Sequence, residues 1–191
     1  MRILRGMGLL ICLAGASAAG AQSIAELRVA AEQGDRNAAR DLVDAYIDGS
    51  DEQPRDLKAA SRELDSFREV LSENQAQLRR YLIYVGAVPA SPEYFRQVAT
   101  GFAAQAESQK RSALRRTLRL NRNAYVFVLE RELAARGFHP WPTDSQLDKD
   151  TLSGILSFCA SVSILKECQR GPMRRSVARV IANHLWPRDP D

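Results

Sequence analysis

Two prolines separated by one residue, Pro140 and Pro142, constrain the fold of this chain more than any other feature. Each proline fixes its own φ and lacks an amide donor, so a regular helix cannot run through this segment. Gly137 stands before them, where a left-handed residue ends a helix, and Asp148 follows where an acidic side chain caps the next one. Asp144 is typical of an Asx turn. The sequence therefore predicts a stiff loop between two helices.

Apolar residues recur at helical spacing on both sides of this loop. The helix before it carries Val126, Leu129 and Leu133. The helix after it carries a broader apolar stripe, formed by Leu152, Ile155, Leu156, Cys159 and Val162. A third helix is predicted to open at Gly171 and Pro172, because proline suits the first helical position. Residues 123–187 are therefore predicted to form three helices.

These residues resemble the three-helix peptidoglycan-binding domain found at the ends of many bacterial cell-wall hydrolases. The matching positions are Leu133, Gly137, Phe138, Pro140, Pro142, Asp144, Thr151 and Phe158. In that family the module is an accessory that brings a separate catalytic domain to the wall. The resemblance implies a non-catalytic domain that binds cell-wall glycan.

The candidate glycan-binding residues lie on the loop and are His139, Trp141, Asp144 and Ser145. Trp141 could offer an aromatic face to a sugar ring, or it could fold over the third helix. Phe138 is better explained as a core residue. Asp144 either hydrogen-bonds a glycan hydroxyl or organises its own loop, and the second role is favoured.

Residues 22–88 are predicted to form two helix pairs. Small residues line the first crossing and a glycine makes its turn, the positions being Ala30, Ala31, Gly34, Ala38, Leu42, Tyr46 and Gly49. This pattern resembles one unit of a Sel1-like repeat, a relative of the tetratricopeptide repeat, and implies protein binding. Ala76 and Tyr84 repeat the spacing of Ala38 and Tyr46 and mark a degenerate second copy. Residues 89–122 are predicted as one long connecting or capping helix.

Residues 1–21 have the layout of a secretory signal peptide, with Arg2 and Arg5 before a short apolar run and small residues up to Ala21. Lipidation at Cys12 is a less favoured alternative, because Ile11 before it is not small. No later stretch approaches the ~20 apolar residues of a membrane helix. The sequence predicts a periplasmic protein without stable membrane insertion.

Removal of residues 1–21 takes away two arginines and no acidic residue, so the formal charge falls from +4 to +2. A charge this close to zero does not indicate nucleic-acid binding. Two cysteines remain, Cys159 and Cys168, and a disulfide is predicted because the compartment is oxidising. A metal or redox pair is the alternative, with only His139 and His184 as companions. No cofactor and no metal is predicted.

Four arginines, Arg111, Arg115, Arg119 and Arg122, stand at intervals of four, four and three, and are predicted to share one helix face. Such a basic stripe could bind acidic polysaccharide, peptide-stem carboxylates or anionic lipid headgroups. The alternative is a solvated face, which is favoured because Glu107 and Glu130 flank the run.

The sequence therefore predicts an all-α protein of Sel1-like helical hairpins followed by a three-helix peptidoglycan-binding-like bundle. No motif for a nucleophilic serine, a zinc-binding histidine pair or a phosphate loop is present, so the protein is expected to be non-enzymatic. We expect it to bind peptidoglycan or a related cell-wall glycan and an envelope protein. The alternative is a periplasmic regulator or assembly scaffold that acts only through protein contacts. A lytic enzyme with an unrecognised site is a third hypothesis.

Overall fold

The computed structural model describes residues 22–50, 53–138 and 143–187, and within these ranges it contains helices and no strand. The prediction of an all-α fold is confirmed. The helices are α1 (Ile24–Glu32), α2 (Arg36–Asp48), α3 (Leu57–Ser66), α4 (Glu73–Ala87), α5 (Pro92–Ala103), α6 (Glu107–Leu120), α7 (Arg122–Ala134), α8 (Lys149–Ser161), α9 (Leu165–Cys168) and α10 (Arg175–Leu185). None of them is both long and apolar enough to cross a bilayer.

Helices α1 and α2 pack against each other as a hairpin, as the alanine pattern predicts. Gly34 has a φ of +88° in the turn between them, a conformation that glycine adopts without strain. The Asp35 side chain then caps α2 by accepting the amide hydrogens of Asn37 and Ala38. Ala31 is buried at the crossing, where a small side chain allows the two helices to approach closely.

The second helix pair, α3 and α4, also forms, and α2 packs against both of its members. Ser72 caps α4 through a capping box with Gln75, which makes the turn without a glycine. Ala76 of α4 is buried, as Ala38 is in α2. Consecutive helices therefore pack in sequence order from α1 to α4.

The prediction of one long helix over residues 89–122 is wrong, because the chain breaks between α5 and α6 at residues 104–106. Gln105 is buried at this break and donates to the carbonyl of Gly101. The Gln77 side chain donates to the carbonyl of Ala104, which α5 leaves without a helical partner. The break lets α5 pack on α4 and α7 while α6 packs on α4, α7 and α10.

Helix α7 is the central element of the C-terminal half, since it packs against α5, α6 and α8. Its buried residues occupy every face of the helix and run without interruption from Ala124 to Glu130. Helix α10 makes its largest interface with α6. Trp186, just after α10, packs on Phe102 of α5 with ring centroids 5.4 Å apart. Residues 123–187 therefore share their core with α5 and α6.

The end of the chain differs in detail from the predicted three helices. A short helix, α9, precedes the last one, and α10 begins at Arg175 rather than at Pro172. Turns occupy the intervening residues, and the carbonyl of Pro172 accepts a hydrogen bond from the Tyr125 hydroxyl at 3.3 Å. This contact holds the segment against α7 in a non-helical conformation.

Cys159 and Cys168 form a disulfide, which confirms the prediction from the sequence. The bond joins the end of α8 to α9, and both cysteines are buried. Closing a loop of this length stabilises the folded chain by about 2 to 3 kcal/mol in the chain-entropy model.

Candidate functional site

A buried carboxylate on α7 anchors the loop that precedes α8. Glu130 is 0% exposed, and its Oε2 atom accepts the amide hydrogens of Asp144 at 3.2 Å and Ser145 at 3.0 Å. Its Oε1 atom accepts the Thr151 hydroxyl at 2.8 Å. Glu130 therefore ties two loop amides and the first turn of α8 to the central helix.

This role of Glu130 was missed in the sequence, where it was assigned to the flank of the basic stripe. A signal was present, because Glu130 lies four residues after Val126 and three before Leu133. A helical residue at this spacing shares the face of its apolar neighbours. A lone carboxylate on such a face must find donors when it is buried.

The side chain of Asp144 organises the loop, as predicted. Its Oδ1 atom accepts the amide hydrogen of Gln146 at 2.8 Å, which is an Asx turn. Asp148 caps α8 by accepting the amide of Thr151 at 2.9 Å, which confirms the predicted cap. Ser145 has a φ of +69° and donates its hydroxyl to the carbonyl of Asp144. The loop backbone is therefore fixed at three consecutive residues.

The predicted glycan-binding set is described in part. His139 and Trp141 lie outside the residues that the structure describes. Asp144 is exposed and Ser145 is half-buried, and the two lie side by side on the loop. Phe138 packs edge-on against Phe158 with centroids 5.5 Å apart, in agreement with its expected place in the core.

The predicted basic stripe does not run along one helix. Asn121 ends α6 and caps α7 by accepting the amide of Ala124, so Arg122 lies on a different helix from the other three arginines. The expectation of one shared face is wrong for this residue. Arg111 donates to the carbonyl of Trp186 at 3.0 Å and thereby closes the end of α10 against α6.

Arg115 and Arg119 instead line a cleft between α6 and α10, with a volume of about 360 Å³. We refer to it as the arginine cleft. Its lining residues are Ser112, Arg115, Arg116, Arg119, Arg175 and Arg179. Arg175 and Arg179 were not predicted from the sequence, because only the packing of α10 on α6 brings them there. Their spacing of four residues on one helix face was the available signal.

Two aspartates of α2 compensate part of this charge. Asp44 contacts Arg116 at 2.8 Å and also pairs with the buried Arg79. Asp48 contacts Arg119 at 2.8 Å and Arg116 at 3.3 Å. These contacts fix Arg116 and Arg119 from the side of the N-terminal hairpin.

The other three arginines of the cleft, Arg115, Arg175 and Arg179, form no ion pair within the described residues. Burial lowers the pKa of Arg115, and the neighbouring charges of Arg179 and Arg119 lower it further. Like charges therefore converge in the cleft. Within residues 22–50, 53–138 and 143–187, no group of three or more histidine, cysteine or acidic side chains is placed to hold a metal ion.

No protein-family model, curated protein or solved structure significantly matches this chain. The likenesses to Sel1-like repeats and to the peptidoglycan-binding domain thus rest on the residues quoted above. The described residues thus form an all-α structure with two candidate binding surfaces, the loop before α8 and the arginine cleft.

Proposed function

We propose that this chain is an exported, non-catalytic binding protein that associates with the cell wall through the loop before α8. In this proposal the helix pairs α1 to α4 bind an envelope protein. Residues 123–187 act as a peptidoglycan-binding-like unit that is docked on α5 and α6, and residues 22–88 act as Sel1-like hairpins. The packing of consecutive helices from α1 to α4 supports the interpretation of residues 22–88 as Sel1-like hairpins.

The observation that carries the proposal is the anchoring of the loop by Glu130. A loop that is ordered before binding loses less conformational entropy when a ligand docks, by about 0.5 to 1.5 kcal/mol for each side chain already held in place. The exposed carboxylate of Asp144 has one oxygen in the Asx turn, and its other oxygen can accept a hydrogen bond from a glycan hydroxyl. Trp141 would supply the aromatic face against the sugar ring.

Export is supported by the disulfide between Cys159 and Cys168, since such bonds persist in oxidising compartments such as the periplasm. The signal-like residues 1–21 support the same conclusion, although they lie outside the described residues. The proposed protein therefore meets the cell wall in the compartment where the disulfide forms.

Co-sedimentation of the chain from residue 22 with isolated sacculi tests the proposal. We expect the wild type to pellet with the sacculi, and Trp141→Ala and Asp144→Ala each to reduce the bound fraction at least about threefold, since each removes a direct contact. Asp65→Ala removes an exposed carboxylate on α3 and serves as the matched control. The proposal is wrong if the wild type stays in solution or if the loop variants pellet as the control does.

A second candidate function, an assembly scaffold that acts only through protein contacts, is favoured by an apolar groove along α8. The groove has a volume of about 700 Å³, and its apolar lining residues are Leu147, Leu152, Leu156, Ala160 and Leu165. Leu147 and Leu165 are 38% and 37% exposed and belong to the same groove, and a contiguous exposed apolar patch of this kind is typical of a protein contact.

A pull-down from envelope extract distinguishes this candidate from wall binding. If the scaffold function holds, the wild type recovers a protein in stoichiometric amount and Leu156→Lys does not, while sacculi fail to bind either form. A zymogram of the purified chain addresses the lytic hypothesis, and we expect no clearing.

A further inference from the structure

We propose that the arginine cleft between α6 and α10 binds a small anion that carries a phosphate group, such as a phosphomonoester or a pyrophosphate. The cleft shares no residue with the loop before α8, so this site is independent of wall binding. The charge of the cleft, the arrangement of its donors and the start of α10 each favour such a ligand.

The charge of the cleft is incompletely balanced. Five arginines line it, and the two nearby carboxylates, Asp44 and Asp48, contact only Arg116 and Arg119 among them. The guanidinium groups of Arg115, Arg175 and Arg179 therefore line the cleft without an acidic partner in the described residues. A bound anion with two negative charges would relieve this repulsion, whereas water does so only by screening.

The donors are arranged to meet a tetrahedral anion from two sides. Arg115 and Arg119 are one turn apart on α6, and Arg175 and Arg179 are one turn apart on α10. A guanidinium group donates two parallel hydrogen bonds to phosphate or carboxylate oxygens. Three unpaired guanidinium groups match the three terminal oxygens of a phosphate ester better than the two oxygens of a carboxylate. The hydroxyl of Ser112 is a further donor at the rim.

The start of α10 provides a second, separate indication. The helix has eleven residues, no acidic residue in its first turn and no side chain that caps its amides. Its first residue is Arg175, and Arg174 occupies the capping position. Cations at this position are unfavourable, because the amino end of a helix already carries partial positive charge. A nearby anion would compensate both the helix end and the arginines.

One wall of the cleft is formed by a largely buried arginine. The side chain of Arg116 is 11% exposed and forms ion pairs with Asp44 and Asp48. The volume of about 360 Å³ is sufficient for a phosphate or a small phosphate ester. Its lining residues are five arginines and one serine, so no apolar side chain lines the cleft to take up a lipid chain. These features favour a soluble phosphate compound over a bilayer surface.

Titration calorimetry at constant ionic strength tests the proposal with three probes, sodium pyrophosphate, sodium phosphate and sodium succinate. We expect pyrophosphate to bind most tightly and succinate most weakly. The double variant Arg115→Gln/Arg179→Gln should weaken pyrophosphate binding at least about tenfold. Arg122→Gln, which removes an exposed arginine at the start of α7, should change it by less than about twofold.

The double variant should still fold, because both side chains are exposed and neither forms an ion pair in the described residues. Its melting temperature should equal or exceed that of the wild type, since a repulsion is removed. The proposal is overturned if the double variant binds pyrophosphate as the wild type does, if Arg122→Gln weakens binding equally, or if succinate binds as tightly as pyrophosphate.

Vesicles of phosphatidylcholine, with and without phosphatidic acid, whose headgroup is a phosphomonoester, separate a lipid headgroup from a soluble source of phosphate. Binding to the anionic vesicles that pyrophosphate displaces supports the phosphate site and assigns its phosphate to a lipid. The proposal is overturned if the protein binds the anionic vesicles, pyrophosphate does not displace it, and neither soluble phosphate nor pyrophosphate binds. Trp141→Ala and Asp144→Ala should leave the pyrophosphate affinity unchanged, so failure of wall binding and failure of the cleft are distinguishable.

Discussion

The buried carboxylate of Glu130 gives the most direct test of how the loop is held. In Glu130→Gln the side chain keeps its volume but has one acceptor oxygen instead of two. Among the described residues, the amides of Asp144 and Ser145 and the hydroxyl of Thr151 donate to the carboxylate. In one orientation the side-chain oxygen of the new glutamine takes the place of Oε2, and the new NH₂ group faces the Thr151 hydroxyl. In the opposite orientation the NH₂ group faces the backbone N–H groups of Asp144 and Ser145.

When the new NH₂ group faces Thr151, the Thr151 hydroxyl can accept from it and donate to the carbonyl of Gln146, which lies 2.8 Å away, so every donor keeps a partner. The two loop amides then donate to a neutral acceptor. A hydrogen bond to a charged group contributes about 1.5 to 3 kcal/mol, against about 0.5 to 1.5 kcal/mol for a neutral one, so we expect the free energy of unfolding to fall by about 1 to 3 kcal/mol. Urea unfolding followed by circular dichroism measures the change.

Glu132→Gln is the matched control, because Glu132 lies two residues away on α7 and pairs with Arg136 one turn along the same helix in a partly exposed contact. Its loss should cost less than about 0.5 kcal/mol. Hydrogen exchange at the amides of Asp144 and Ser145 gives a local readout and should accelerate only in Glu130→Gln. Equal destabilisation by the two variants, or unchanged exchange at both loop amides, would refute the proposed anchoring.

Three further predictions concern stability and are each measured by urea unfolding. Replacement of Cys159 and Cys168 by serine should lower the free energy of unfolding by about 2 to 3 kcal/mol, and a reducing agent should have no additional effect on this variant. Asp44→Ala should cost about 3 to 5 kcal/mol, because the guanidinium of Arg79, with a side chain 3% exposed, loses its carboxylate partner; a cost below 1 kcal/mol would contradict this. Ser145→Gly should stabilise the chain by up to about 1 kcal/mol, since serine at a φ of +69° is strained, and a loss of stability would contradict that explanation.

Features that depend on near neighbours in the chain were predictable from the sequence. The cap at Asp148 and the Asx turn at Asp144 are set by side chains that reach amides two or three residues away. The disulfide followed from the presence of only two cysteines after residue 21. The turn at Gly34 followed because few residues tolerate a positive φ.

The break between α5 and α6 was not predictable in this way, because no proline or glycine lies at residues 104–106. The apolar residues keep their helical periodicity through the break. The Gln77 side chain that donates to the carbonyl of Ala104 comes from α4, twenty-seven residues earlier in the sequence. Local helix propensity favours one continuous helix over these residues. Two separate helices form because α5 and α6 pack against different sets of neighbouring helices.

The sequence alone determined that this chain forms helices, where the turn between α1 and α2 and the start of α8 lie, and which two sulfur atoms join, because short-range rules govern these features. Only the tertiary structure decided that Glu130 anchors the loop and that Arg175 and Arg179 face Arg115 across a cleft. These arrangements bring together residues that are far apart in the sequence. Their geometry depends on how α7 meets α8 and how α10 lies on α6, which helical periodicity does not specify.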